Sequence, residues 1–436
     1  MSLRREHDRT RAPAGPDSAS DGMTHRIAAM PRIDADRLLS DLRQLRAIGA
    51  QGRGVVRPAF SAADMEARRW LKRKYEEVDL EATIDGVGNV LGRSRHPGKA
   101  LLIGSHSDTQ PTGGWLDGAL GVIYALEVVR ALADDSATRA LPLDAVSFQD
   151  EESRFVGCLG SRSLIGALKP EIEQGAADSH GVTLAEALQQ AGLADVSRVR
   201  LARDRYAGFI EAHIEQGPHL EDAGLRIGVV TGIVGLRSIR FIFRGQQNHA
   251  GTTMMKRRRD ATTALYELAH RVNQEFPKVA AERSVWTMGR LRVEPNATSI
   301  VPGYAELDLQ FRDASDAPLD ALEAVVARLV SEMNARGGVA IEAIPTRAPI
   351  APTRMDAGLQ AHIEAAAERN APGNWQRMPS GAFHDAGIVS AFIPSAMLFI
   401  PSLGGISHDF AEDSREEDIV LGCQVLADAA ASILAA

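Results

Sequence analysis

The sequence predicts an α/β protein in which a central, largely buried sheet carries helices on both faces and a smaller domain is inserted into it. Three observations predict this. Short apolar runs, ALLIG (100–104), DAVSF (144–148), GFIEAHI (208–214) and AMLFI (396–400), alternate with helical segments, the pattern of strands covered on both sides. Between about 231 and 348 the rhythm changes to β-α-β-β-α-β, the order of the split βαβ sandwich. Finally, 436 residues exceed what one small core organises.

Taken in order, residues 1–33 are rich in Arg, Asp, Ser, Pro and Ala and read as a disordered tail, with Met23 or Met30 as alternative starts. ADRLLSDLRQLRAIG and SAADMEARRWLKRKYEEV are amphipathic helices, the second opened by Ser61 as N-cap. A helix over Gly118–Ala133 places Asp117 at its N-terminus, where the dipole favours a carboxylate. Within the insertion, RSIRFIFRG, SVWTMGRLRVE, GYAELDLQFR and VAIEAIPTR are strands, and DATTALYELAHRVNQEF and DALEAVVARLVSEMNARGG are helices. Gly-rich IGVVTGIVG before it and RAPIAPTR after it read as two crossings of a hinge. The domains predicted are therefore 34–230 together with 349–436, and 231–348.

The formal charge of −8 gives no support to nucleic-acid binding. No run approaches the ~20 apolar residues of a membrane span, and no apolar segment near the start suits a signal peptide. Two cysteines fit a reducing compartment, so a cytoplasmic protein is expected.

Five potential metal ligands fall in or just after the apolar runs: His106 in GSHSDT, Asp117 in WLDGALG, Glu152 in QDEES, His213 in EAHIEQG and His408 in GGISHD. In an open α/β sheet, residues beyond the strands' carboxyl ends converge on one rim. Three imidazoles and two carboxylates suffice for two neighbouring divalent ions if one carboxylate bridges them, an arrangement that activates a water and polarises a carbonyl. Glu151 is the base for such a water, and Asp150 is left to solvent. Asp108 is placed to orient His106 from behind. Each motif alone has a plainer reading: HxD as a polar strand end, the acidic triplet as a surface turn, His213 as a satisfied core histidine. Gln216 is placed to hydrogen-bond a substrate amide, and Gly404 and Gly405 let backbone N–H groups approach an anion. His249 in NHAGTT is either an oxyanion donor or, with Asn248, a turn residue. Arg312 reads equally as a surface ion pair or as a carboxylate clamp.

Together and in this order, GSHSDT, DGALGV, EESRF, HIEQGP, NHAGTT and GGISH resemble the hydantoinase/carbamoylase branch of the di-metal aminoacylase/carboxypeptidase clan, from about residue 36 to the C-terminus. The branch includes N-carbamoyl-L-amino-acid hydrolases, allantoate amidohydrolases and certain β-ureidopropionases. The resemblance implies a Zn-peptidase-like catalytic domain with a central mixed sheet, and a ferredoxin-like lid that also forms a homodimer. It implies two divalent ions per subunit, zinc foremost, with manganese, cobalt or nickel as alternatives. His106, Asp117 and His213 would hold one; Asp117 again, Glu152 and His408 the other. It further implies Glu151 as catalytic base, and Gln216, His249 and Arg312 as contacts to a small carboxylate-bearing substrate, with His249 reaching the partner's site. There are departures. Where the family has Asn in NVVPG, this chain has SIVPG, so Ser299 takes that substrate-binding position, with Asn296 as a nearby amide. Met254 follows NHAGTT, QDEES replaces NEEGS, and Phe383 stands where glycine is common. No ligand position is lost.

Overall fold

Four apolar runs form the centre of a nine-stranded mixed sheet within residues 30–436, the part of the chain that the structure, a computed structural model, describes. Strands Ser395–Ile400, Tyr206–Ile214, Ala100–His106 and Leu143–Phe148 lie side by side in that order and run parallel. Antiparallel strands extend this centre at both sides: Val90–Arg93 and Glu81–Ile84 beyond Leu143–Phe148, and Ile227–Ile233 beyond Ser395–Ile400. The outermost of the parallel four are buried along their whole length, because helices cover both faces. On one face, helices Ala35–Ala47, Ala119–Asp134 and Glu416–Leu434 bring Leu42, Ile123, Val128 and Leu426 onto Ile103 and Ile210. On the other, Leu164, Ala386 and Val389 close over Leu102, Phe148 and Phe209. Asp34 and Ser61 cap their helices by accepting the N–H groups of Arg37 and Asp64 at 3.0 and 3.1 Å.

Parallel strands joined by helical crossovers point their carboxyl ends the same way, and this gathers distant segments on one rim. Behind that rim lies a buried charge network. Arg68, fully enclosed, meets Asp64 at 2.9 Å and Asp108 at 3.7 Å, and donates to the carbonyls of Gly88 and Phe148. Removing one member leaves buried charges uncompensated. Arg68→Leu should therefore lower unfolding stability by about 3 kcal/mol in urea titration; a loss under 1 kcal/mol would mean that water reaches the network.

The inserted segment has a core of its own. Strands Gly235–Arg244, Val285–Glu294, Tyr304–Asp313 and Ala340–Pro345 form an antiparallel sheet ordered Val285–Glu294, Tyr304–Asp313, Gly235–Arg244, Ala340–Pro345. Helices Ala261–Glu275 and Asp316–Arg336 pack on it through Leu265, Leu268, Leu322 and Leu329 against Phe241, Phe243 and Phe311. Its other face carries ion pairs, Arg240–Asp308 at 2.7 Å and Arg290–Glu306 at 3.0 Å.

The structure departs from expectation at the first crossing. IGVVTGIVG is a strand of the main sheet rather than a hinge loop, and the chain leaves that sheet at Val234, just beyond the expected boundary. Its glycines serve close approach, not mobility: a Cβ on Gly232 would lie 2.6 Å from the Thr353 carbonyl oxygen. The return crossing pairs with the outgoing one through Leu236–Ile350 and Ile233–Thr353. Most of the expected N-terminal tail lies outside the described residues. Its last residues are tied down, however, with Ile33 N–H donating to Gln424 Oε1 at 3.3 Å. Among the described residues, no helix is long and apolar enough to cross a membrane.

Candidate active site

His106 ends its strand, and His213 is the last residue but one of Tyr206–Ile214. Glu152 lies in the turn after Leu143–Phe148, Asp117 just before helix Ala119–Asp134, and His408 after the short turn Leu403–Gly405. The fold brings all five together around Asp117. One of its oxygens, Oδ1, lies 3.4 Å from His106 Nε2 and 3.1 Å from His213 Nε2; the other, Oδ2, lies 3.3 Å from His408 Nε2. Glu152 Oε2 is 3.6 Å from His408 Nε2. Two groups result, His106–Asp117–His213 and Asp117–Glu152–His408, sharing Asp117.

These separations fit a pair of divalent ions. Ligand atoms about 2.0–2.1 Å from one tetrahedral ion sit roughly 3.3 Å apart. The tautomers agree: Nδ1 of His106 faces the Asp108 carbonyl oxygen at 3.0 Å and Nδ1 of His213 faces that of Ile214 at 2.8 Å. Each Nδ1–H is thereby taken up, and each Nε2 faces Asp117, that of His213 also lying 3.1 Å from Gly118 N. Asp108 thus orients His106 through its backbone, not its carboxylate as expected; that carboxylate is 3.8 Å from the ring. It accepts Glu152 N–H at 3.2 Å instead and so holds the turn bearing the next ligand.

The electrostatics of the cluster ask for cations. Burial opposes ionisation of Asp117, but hydrogen bonds from the His106, His213 and His408 imidazoles, when they carry a proton on Nε2, outweigh it and hold the carboxyl well below its usual range. Burial pushes Glu151 well up despite nearby His106, and burial with the neighbouring Asp117 raises Glu152 to about 7. The hydrogen bond to Asp117 raises His408 to about 9. Such crowded carboxylates ionise together only against positive charge. Glu151 lies beside the first group, with Oε2 3.8 Å from His106 Nε2.

Asp150, expected at the surface, is buried. With φ +54° it turns back and accepts the N–H groups of Arg154, Phe155 and Val156 at 2.7–2.9 Å. It shapes the loop presenting Glu151 and Glu152, and burial raises it to about 8.

Gln216 adopts φ +58° and donates from Nε2 to Asp117 Oδ2 at 2.9 Å, while its Oε1 is buried without a partner. Arg312 reaches the same cleft from the inserted segment and donates to Gln310 Oε1 and, at 3.2 Å, to the Gly381 carbonyl. Gly405, at φ +64°, lines the adjoining hollow, and Gly404 N–H is taken by Glu221 at 2.6 Å. His249 and Ser299 are not among the residues lining this cleft. They sit together at an exposed two-stranded antiparallel pairing of Asn248–His249 with Ile300–Val301, where the Ser299 carbonyl accepts Ala250 N–H at 3.0 Å. Asn296, also at positive φ, is exposed too.

Sequence reasoning missed several groups. Glu412 accepts the N–H groups of Leu116 and Asp117 at 3.2 and 3.0 Å and the Ser407 hydroxyl at 2.8 Å, fixing the bridging ligand. His384 packs against His213 with ring centres 4.6 Å apart. Cys158 places its thiol 3.8 Å from Glu151 Oε1, and Arg347 lines the cleft.

The profile described as Peptidase family M20/M25/M40 matches residues 102–432. The chain belongs to that family. An N-carbamoyl-L-amino acid amidohydrolase from Geobacillus stearothermophilus is 34% identical over 407 residues, covering 90% of this chain and 97% of that protein. The allantoate amidohydrolase of Bacillus subtilis is 32% identical over 86% of this chain and 92% of its own. Among solved structures, a hydantoinase/carbamoylase-family amidase from Burkholderia phymatum superposes with a TM-score of 0.88 at 50% identity, over 93% of this chain and 99% of that one. This M20 family member is accordingly a metal-dependent amidohydrolase of the hydantoinase/carbamoylase type.

Proposed function

We propose that the chain hydrolyses the ureido C–N bond of an N-carbamoyl-L-amino acid. The observation that carries this reading is one cleft holding two ligand groups joined by Asp117, with Glu151 beside them and Arg312 among its lining residues. Bound divalent ions, zinc foremost, would supply Lewis acidity at the carbonyl and a more acidic water. His106, Asp117 and His213 would hold one, and Asp117, Glu152 and His408 the other. Glu151 takes the proton of the attacking water and returns it to the leaving nitrogen. Gln216 accepts from the substrate amide through its free Oε1, and Arg312 clamps the carboxylate through its planar fork. The products are the amino acid, carbon dioxide and ammonia.

Residues 231–348 act in this reading as a ferredoxin-like lid through which two subunits pair. The exposure of His249 and Ser299 supports it, because donors placed outside their own cleft are available to a partner's, where His249 would stabilise the oxyanion. Two free, buried thiols suit the cytoplasm.

Ammonia release from N-carbamoyl-L-amino acids, allantoate, N-carbamoyl-β-alanine and an N-acetyl amino acid, with added divalent metal, tests the substrate. N-carbamoyl-L-amino acids should lead in kcat/KM by about tenfold or more, a transition-state difference near 1.4 kcal/mol, and chelation should abolish the activity. Similarity to the Bacillus subtilis enzyme supports allantoate as the alternative. A lead for allantoate would select it, and turnover of the N-acetyl compound alone would overturn both.

A further inference from the structure

The wall of the cleft carries more positive charge than one substrate carboxylate needs. Arg312 donates only to an amide oxygen and a backbone carbonyl, at 3.0–3.2 Å. Arg347, on the return crossing, lines the same cleft as His106, Asp117, Glu151 and Arg312. Among the described residues neither makes an ion pair. Elsewhere in the inserted segment some arginines pair with acids, Arg240 with Asp308, Arg290 with Glu306 and Arg328 with Glu332, while among the described residues Arg257, Arg258, Arg259 and Arg283 do not, and those four do not line the cleft of the metal-ligand cluster. With 57 acidic against 49 basic residues, the chain has no shortage of partners. Burial, and then the Arg347 guanidinium, lower the Arg312 pKa, and no carboxylate offsets them. Two like charges so placed repel each other until an anion arrives. A third arginine, Arg162, also lines the cleft, anchored by its Nε–H to the Gly157 carbonyl at 2.9 Å.

We infer that the preferred substrate carries two carboxylates, one held by Arg312 and the second by Arg347, which makes it an N-carbamoyl acidic amino acid. This rests on the reading in which Arg312 clamps a substrate carboxylate. An uncharged side chain would leave Arg347 unmatched. The rival arrangement, both arginines on a single carboxylate, predicts no such preference.

N-carbamoyl-L-glutamate and N-carbamoyl-L-glutamine have nearly the same shape and differ in the charge that matters. The metal-loaded wild-type enzyme should favour the glutamate compound in kcat/KM by about tenfold, the size of one well-formed charge-assisted contact. In Arg347→Gln that ratio should fall to near unity. A wild-type ratio of one or below, or a ratio that survives the substitution, overturns the inference; the second result is what a shared carboxylate gives. A readout without turnover separates this from the carbamoyl chemistry. Glutarate should raise the Tm of the wild-type protein more than butyrate does, and Arg347→Gln should lose the difference. If glutarate behaves in this way while no carbamoyl compound is hydrolysed, the carbamoyl reading falls and the dicarboxylate site stands. If carbamoyl compounds are turned over while glutarate and butyrate act alike, the dicarboxylate site falls and the carbamoyl reading stands.

Discussion

Glu151→Gln is expected to lower kcat by roughly a thousandfold while metal content stays at the wild-type level, within the range usual for loss of a general base. The amide keeps the shape of the side chain and its place 3.8 Å from His106, but it cannot take a proton. Glu151 belongs to neither ligand group, so the ions should remain. Elemental analysis of the purified variant alongside steady-state kinetics checks both halves. A kcat within tenfold of wild type, with metal intact, would remove Glu151 from proton transfer.

Asp117→Ala is expected to empty both sites at once. Its two oxygens face different histidines, and it is the only residue common to the two groups. His408→Ala should spare the group that lacks His408. Bound ions stabilise the folded state by mass action, about 2.7 kcal/mol when free metal stands a hundredfold above Kd. The rise in Tm that zinc or manganese gives the wild type should therefore vanish in Asp117→Ala and persist in part in His408→Ala. Equal metal content in the two variants would show that Asp117 is not shared.

The clustering of the five candidate ligands was legible because each stands in or beyond an apolar run, and parallel strands leave little choice about where such ends meet. His106 and His213 needed nothing more. The inserted segment was legible as a rhythm, since alternation in RSIRFIFRG and GYAELDLQFR differs from the continuous burial of AMLFI. What escaped depended on backbone twist or on distant partners. The inward turn of Asp150 requires a left-handed φ that an acidic triplet does not announce. Glu412 holds backbone groups almost three hundred positions away, in a stretch without periodicity. Gly228 and Gly232 suggested flexibility, because composition alone does not separate a glycine that bends from one that lets strands close up. The carboxylate of Asp108 found Glu152 N–H and Arg68 rather than its neighbour in sequence.

The candidate metal ligands are drawn from residues 106 to 408, and the last of them follows the strand that lies beside that of His213. Four of the five donors, His106, Asp117, Glu152 and His213, precede Ser395–Ile400 in the chain, and only His408 follows it. A chain cut short before His408 would keep most of its core-forming strands and yet hold only one of the two groups. The second group is thus complete only once the chain has reached His408, although its other two members stand within the first 152 residues.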